Sequence, residues 1–491
     1  MSEVLASRTK LQNFGLIGAF LALIIICLFP TPDTLSTGGH RMIGVLAFAI
    51  IIWMTTAVSY PVSAMMLMGL VALLLGFSPD VAHPDHMIGT TNALKMIISG
   101  YASPAMMLVA AAMFISIAMR STGLDKRIAV AVLSCVGTKV NQIYFGVLAT
   151  GLILVFFVPS ATARMACLAP IILGIVDSLG IPRKSKLTAL LLIGAVQVDV
   201  FWNCLIQTAA AQNLIALGFW QDMFGQTVSW SEWFIIAAPF AFIMAIIYFF
   251  LSKMLIKPEF KELAGGKEAI KKMKDELGAI TKNEIKLLII SIALIFLWAT
   301  SGKLHHIDIT TVTIVAIAIM FLPGINILNW KDAQAKISWG TIVLFGAGIG
   351  LGTVLLKTKA AAWLANIFIQ AFSLETATPL VLLAIMSVFL IVLHLGFSSA
   401  AALVSSMLPI VISILVAHGG DLDPMKMSLL IAFPMNFGFI LPVNSPQGMV
   451  MYGTDTFEVK EYMKLGIPIA VISVVMLLVM GTTYWHWLGI M

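Results

Sequence analysis

Pro159-Ser160-Ala161-Thr162 and Phe397-Ser398-Ser399-Ala400-Ala401 are short runs of small and hydroxylated residues set inside long apolar stretches. A helix that resumes at Ser160 or Ser399 starts with N–H groups that lack intrahelical acceptors and with the positive end of its dipole. Serine and threonine cap such starts well, and an anion is their natural ligand. Two starts approaching one another suit a small anion with two negative ends. A second pair of breaks follows, Asn203-Cys204-Leu205-Ile206-Gln207-Thr208-Ala209-Ala210-Ala211-Gln212-Asn213 and Leu441-Pro442-Val443-Asn444-Ser445-Pro446-Gln447-Gly448. Pro442 and Pro446 cannot both sit in an uninterrupted helix, because each removes a donor and crowds the preceding turn. Backbone carbonyls freed there are potential ligands for a cation. Arg164 lies deep in an apolar run, which is costly unless it faces a cavity or a partner. It reads as a substrate-binding or charge-compensating group, or as half of a structural ion pair with Asp199. Asp199 in turn reads as structural or proton-linked. His394, five residues before Ser399, reads as a satisfied interior histidine or a second charge-compensating group. Asp177 is expected to meet Lys184 or Lys186.

The elements that position these residues must lie in a membrane. Of the 491 residues, 60% are hydrophobic and 11% charged, with a mean hydropathy of +1.02. Soluble proteins carry about 25% charged residues, so this chain cannot clothe a soluble surface, and a water-soluble enzyme is excluded. Spans of roughly 20 apolar residues are expected at 13–30, 41–57, 60–77, 102–119, 187–218, 232–252, 285–300, 309–329, 338–356, 427–452 and 462–485. The first is read as a membrane helix rather than a removed signal peptide. Regions 140–181 and 377–417 are too long for one span and broken near the middle, as expected of re-entrant hairpins. Irregular backbone survives at that depth only beside a polar cavity or buried in protein. The Lys-rich segment 253–286 reads as a solvated linker. Cys27, Cys135, Cys167 and Cys204 show neither metal-ligand spacing nor a disulfide framework and read as buried small hydrophobes. No metal or cofactor is expected. The 29 methionines and 29 phenylalanines read as lipid-facing or packing residues.

Eleven spans and two hairpins, started from the cytoplasm, place 22 of the 29 basic residues on that side. They begin with Arg8 and Lys10 and include Arg120, Lys126, Arg127, Lys139, Arg183, Lys184, Lys186, Lys331, Lys336, Lys460, Lys464 and nine lysines from Lys253 to Lys286. Six fall outside: Arg41, Lys95, Lys303, Lys357, Lys359 and Lys426. The asymmetry fits the positive-inside rule and puts the N-terminus in the cytoplasm and the C-terminus outside. The net charge of +6 therefore gives no reason to expect nucleic acid as a partner.

The halves also match each other 239 residues apart: Ile98-Ser99 with Ile337-Ser338, Arg120 with Lys359, Ser160 with Ser399, Pro170-Ile171 with Pro409-Ile410. Each half runs span, short amphipathic stretch, hairpin, interrupted span. An odd number of crossings separates the units, so their topology is inverted. Inverted repeats with broken helices meeting near the midplane characterise secondary transporters. An anion channel would not require the pairing, and an intramembrane hydrolase built on Ser399 and His394 lacks a recognisable motif.

The paired tips, the runs Leu168 to Ile171 and Leu408 to Ile410, and Leu441-Pro442-Val443-Asn444-Ser445-Pro446-Gln447 resemble the divalent anion/sodium symporter family over nearly the whole chain. The resemblance implies an all-α polytopic membrane protein with an inverted repeat, 11 transmembrane helices, two re-entrant hairpins, and scaffold and transport domains moving as an elevator. Scaffold helices would occupy 1–119 and 232–356, and transport-domain parts 120–231 and 357–491. A homodimer in a bacterial-type cytoplasmic membrane is implied, with small dicarboxylate anions as substrates. Family tips usually read Ser-Asn-Thr. Here they are Ser160-Ala161-Thr162 and Ser399-Ala400-Ala401, without oxygens that would serve sodium. Ser160-Ala161-Thr162-Ala163-Arg164 and Thr208-Ala209-Ala210-Ala211-Gln212-Asn213 resemble the exchanger branch, which includes citrate/succinate antiporters and plastid 2-oxoglutarate/malate translocators. By that resemblance Ser160, Ala161, Thr162, Ser399, Ala400, Ala401, Thr208, Ala209, Asn444, Ser445 and Pro446 bind substrate, and Arg164 and His394 compensate charge. A guanidinium is a fixed cation. An empty carrier holding it uncompensated would cross reluctantly, which implies exchange of one dianion for another. A sodium- or proton-coupled symporter is the alternative.

Overall fold

The computed structural model describes residues 9–81, 83–262, 265–419 and 422–491. Arg8 and the Lys267 side chain, both counted in the charge asymmetry, lie outside the described residues. All regular structure among the described residues is helical, apart from isolated β-bridges. The chain opens with α1 (Lys10–Leu28), which buries only Gly15, Ala19 and Leu23 and leaves an apolar face for lipid. The first half then runs α2 (Thr37–Thr55), α3 (Tyr60–Gly76), α4 (Thr90–Ile98), α5 (Pro104–Thr122), α6 (Leu124–Ser134), α7 (Val140–Phe157), α8 (Ala161–Ser178), α9 (Lys186–Leu205), α10 (Ala211–Phe224) and α11 (Trp230–Leu255). After α12 (Gly266–Glu276), the second half repeats that order. It has α13 (Lys282–Thr300), α14 (Ile309–Phe321), α15 (Trp330–Lys336), α16 (Trp339–Lys357), α17 (Ala360–Ala371), α18 (Pro379–His394), α19 (Ala400–His418), α20 (Pro424–Ala432), α21 (Pro446–Tyr452) and α22 (Val459–Thr482), with a short α23 (Tyr484–Trp487) at the end.

The halves correspond helix for helix, α2 to α11 with α13 to α22. Even the joints agree: Gly123 at φ 82° separates α5 from α6, and Lys359 at φ 59° separates α16 from α17. Pro170 lies inside α8 and Pro409 inside α19. Both hairpins form as expected, α7/α8 around Val158–Ser160 and α18/α19 around Leu395–Ser399.

The two broken spans form as the sequence indicates, and another span has different limits. The region 187–218 is two helices, α9 and α10, separated at Ile206–Ala210, within the run Asn203 to Asn213. The region 427–452 comprises α20, two 3₁₀ turns at Pro434–Asn436 and Pro442–Asn444, and α21. The span drawn at 309–329 ends at Phe321, because Leu322 precedes Pro323 and is held extended, and Gly324 turns the chain at φ 88°. Eleven helices among the described residues are long and apolar enough to cross a membrane, but these include the hairpin helices α7, α8 and α19. Domain limits drawn at 119/120, 231/232 and 356/357 fall inside α5, α11 and α16. Segment 253–286 is not wholly a solvated linker. Its α12 buries Ala269 and Ile270 and lays Met273 against Gly174 of α8, while Arg127 holds the carbonyls of Leu277, Gly278 and Ala279 and pairs with Glu284 at 2.7 Å. Of the cysteines only Cys204 is buried; Cys135, at the end of α6, is exposed. Asp177 meets Arg183 at 2.6 Å rather than a lysine, since the turn at Gly180 brings the guanidinium back over α8.

Core packing centres on α9, buried from Leu187 to Leu205. Its Gln197 donates to the carbonyls of Phe439 (2.8 Å) and Tyr462 (3.0 Å) and accepts from the Tyr248 hydroxyl (2.8 Å). That amide satisfies backbone freed by the break in the second half, which hydrocarbon would leave unpaired. Alternate glycines of α16 work on two sides. A Cβ on Gly350 would sit 1.8 Å from the Ile97 carbonyl, whereas one on Gly348 meets the Ser405 side chain at 2.6 Å. Small residues of this kind let membrane helices approach closely. Gly350→Ala is therefore expected to cost about 1–3 kcal/mol or more through overpacking against immovable backbone. Gly348→Ala should cost less, a ranking that thermal unfolding of the detergent-solubilised protein can check.

Candidate substrate site

Each hairpin ends in the same way. Pro159 stops α7, and Ser160 (φ −154°, ψ 112°) opens α8 with its Oγ accepting from the Ala163 N–H at 3.3 Å. Ser399 (φ −151°, ψ 119°) opens α19 with its Oγ accepting from the Ala402 N–H at 3.4 Å. The second breaks are matched as well. Ala210 (φ −150°, ψ 146°) leads into α10, and Ser445 (φ −150°, ψ 145°) leads into α21 with a 3.2 Å cap to the Gly448 N–H. All four helix starts border one cavity of about 520 Å³. Ser160, Ala161, Thr162, Ser399, Ala400, Ala401, Ser445 and Pro446, read from sequence as substrate-binding, line it.

Thr208, Ala209, Asn444, Arg164 and His394 do not line this cavity; they stand behind its walls and hold them. Arg164 is fully buried. Its Nε and one terminal nitrogen bind Asp199 in parallel at 2.8 and 3.0 Å, and that second nitrogen also bonds Asn203. The other nitrogen donates to the carbonyls of Val158 (2.7 Å) and Ala209 (3.0 Å). All five guanidinium donors are thereby used, and the carboxylate neutralises the charge. Arg164 thus ties the end of α7 to the turn before α10, setting two helix starts side by side. The reading of Arg164 as a free cation gives way to that of an ion pair with Asp199.

Asn444 does the equivalent work in the other half. Its Nδ2 donates to the carbonyls of His394 (2.9 Å), Leu395 (3.2 Å) and Phe397 (3.2 Å), and its Oδ1 accepts from the Leu441 N–H (3.0 Å). His394 Nε2 lies 3.2 Å from the Asn444 carbonyl, while its buried Nδ1 has no partner among the described residues. Thr208 accepts from Trp230 Nε1 at 3.3 Å, anchoring the first break to α11.

Most of the remaining lining residues come from elements that individual motifs did not reveal. Tyr60 at the start of α3 reaches Ser398 of the second tip, hydroxyl to hydroxyl at 2.7 Å. Ser116 and Arg120 come from α5, Lys336 from α15, Ser338 and Thr341 from the start of α16, and Gln212 and Gln447 from the two broken spans. In the sequence Lys336 stands out only as a cytoplasmic charge in the topology count, and Arg120 only there and as the repeat partner of Lys359. Among the described residues none of those lining the cavity is acidic. Helix starts, hydroxyls and two cations around a concave space favour a small anion.

Known proteins agree with this architecture. The chain is 43% identical over 477 residues to a protein described as a membrane protein of Cupriavidus necator, covering 97% of this chain and 93% of the relative. It is 25% identical to the sodium-dependent dicarboxylate transporter SdcS of Staphylococcus saprophyticus, over 95% and 90% of the two chains. It is 27% identical to the inner membrane protein YbhI of Escherichia coli, over 94% and 95%. Among solved structures, the YdaH transporter of Alcanivorax borkumensis superposes with a TM-score of 0.58 at 15% identity, covering 88% of this chain and 97% of that one. MtrF of Neisseria gonorrhoeae gives 0.55 at 15% identity, covering 89% and 94%. At such identity these two speak for the fold alone. Residues 10–491 match the model of the sodium:sulfate symporter transmembrane region, and the chain belongs to that family of secondary transporters, the divalent anion/sodium symporters, and is not an enzyme.

Proposed function

We propose that the protein exchanges small dianionic carboxylates, such as succinate, malate or 2-oxoglutarate, across a bacterial-type cytoplasmic membrane. The observation that carries this reading is one cavity bordered by four helix starts, with no acidic group among the described residues of its wall. Two carboxylates of one substrate can each take a hairpin tip, Ser160 with Thr162 on one side and Ser399 on the other. The charge argument for exchange moves away from Arg164, which Asp199 neutralises, to the helix starts at Ser160, Ala210, Ser399 and Ser445, which travel with the moving part. An empty cavity of that character resists crossing hydrocarbon, and a bound dianion relieves it. Inverted repeats of this kind support alternating access by motion of one bundle against another. With the limits moved to the helix ends, the moving part is taken as 123–229 with 358–491, the scaffold as 1–122 with 230–357, and the assembly as a homodimer. Lysine and arginine asymmetry supports an inside N-terminus and an outside C-terminus, so the cavity bordered by Arg120 and Lys336 opens to the cytoplasm.

Counterflow tests the reading. Proteoliposomes preloaded with succinate or 2-oxoglutarate are expected to take up labelled dicarboxylate rapidly, and empty vesicles are expected to take up almost none, with or without sodium. Sodium-driven uptake into empty vesicles would replace exchange by symport, the reading that similarity to SdcS favours.

A further inference from the structure

We propose that Arg120 and Lys336 form a fixed cationic collar that gathers the dianion on one face of the membrane and strengthens binding on that face only. This rests on the dicarboxylate reading above and goes beyond it, since the tips alone would treat both faces alike.

Arg120 and Lys336 are the cationic side chains among the described residues lining the cavity, and both are exposed there. Neither forms a salt bridge among the described residues. Asp125 is near enough to interact with Arg120, but it is buried, bonded to the Lys126 N–H at 2.8 Å and set beside Cys167. Lys336 Nζ donates to Ser121 Oγ at 3.2 Å. That contact ties the end of α15 to the end of α5 and brings Lys336 beside the residue following Arg120. The two charges therefore sit together, on elements other than the four helices whose starts border the cavity.

Location decides the consequence. The tips belong to α8 and α19, which carry the substrate in an alternating-access cycle. Arg120 closes α5 and Lys336 closes α15, and neither belongs to a hairpin. When the tips reach the opposite face, the collar stays behind. Like-signed charges around a low-dielectric cleft raise the local concentration of an oppositely charged ligand, and salt weakens the effect. The collar thus lowers KM where the cavity meets Arg120 and leaves the other face to the tips.

The test uses the full chain in everted and right-side-out vesicles, with the carboxylate that the wild type exchanges in counterflow. Arg120→Gln with Lys336→Gln is expected to raise KM about tenfold on the Arg120 face at about 0.02 M salt, with kcat unchanged. On the opposite face the rise should stay below about twofold, and at about 0.5 M salt the difference should vanish. Arg120→Lys with Lys336→Arg keeps the charges and should keep the wild-type KM, separating electrostatics from folding. An unchanged KM, an equal rise on both faces, or a rise that persists in high salt overturns the collar while leaving dicarboxylate exchange intact. A wild type without carboxylate counterflow overturns both.

Discussion

Arg164→Ala is expected to abolish exchange and to lower the protein's thermal stability sharply. The change leaves the buried Asp199 carboxyl with no counter-charge, and removes the donors that serve Val158, Ala209 and Asn203. Breaking a buried ion pair from one side costs about 3–5 kcal/mol. Lysine is no substitute, because a point charge cannot span a carboxylate and two carbonyls as a planar fork does. The double variant Arg164→Met/Asp199→Leu separates two contributions. Replacing both partners with apolar groups of similar size can be nearly neutral for stability, so much of the thermal stability should return. Exchange should not return, because nothing then ties Val158 to Ala209 and the starts of α8 and α10 lose their relative position. Unfolding temperature and counterflow rate, measured side by side, check both statements. A free, charge-compensating arginine predicts the opposite pattern for Arg164→Ala: a stable protein whose exchange acquires a requirement for cations.

That contrast also shows how far the sequence could be read. The hairpins are legible because small and hydroxylated residues interrupt apolar runs twice, at Ser160 and at Ser399, in register with matched prolines. The second breaks are legible from Pro442 and Pro446, and from the polar run Gln207 to Asn213. Helix ends are less so. Hydropathy runs one span from 309 to 329, although the helix ends at Phe321 and Pro323 and Gly324 turn the chain. The side on which Arg164 lies was not legible. Ala161, Thr162, Ala163 and Ala166 face the cavity, while Arg164 turns toward α9. The choice depends on where Asp199 and Asn203 stand, which is a tertiary fact. Tyr60, Arg120 and Lys336 join the site for the same reason. They lie far in sequence from the tips and are ordinary residues within their own segments.

The matched clamps give the two halves a common logic. In one, a guanidinium–carboxylate pair binds the hairpin to the broken span. In the other, one amide, Asn444, does so through three carbonyls of the hairpin turn. Both place a capped serine at the head of a helix directed at the cavity, and the cap offers a way to separate binding from folding.

Ser399→Asp is expected to leave the fold intact and to stop transport. Aspartate caps a helix about as well as serine, and its charge favours the helix start by about 0.3–1 kcal/mol. Thermal stability should therefore hold or rise. The introduced carboxylate, however, lies in the cavity wall where one end of the substrate would rest. Two negative charges about 4 Å apart repel by about 4 kcal/mol at an effective dielectric constant near 20, equivalent to nearly a thousandfold in affinity. Ser160→Asp should do the same from the other tip. Ser399→Ala is the control. It loses a cap worth about 1 kcal/mol but adds no charge, so it should lower stability slightly and transport only moderately. Counterflow over a wide substrate range, with unfolding temperature measured on the same preparations, distinguishes the cases. Wild-type exchange by Ser399→Asp would mean that the second tip does not touch the transported anion, however closely it borders the cavity.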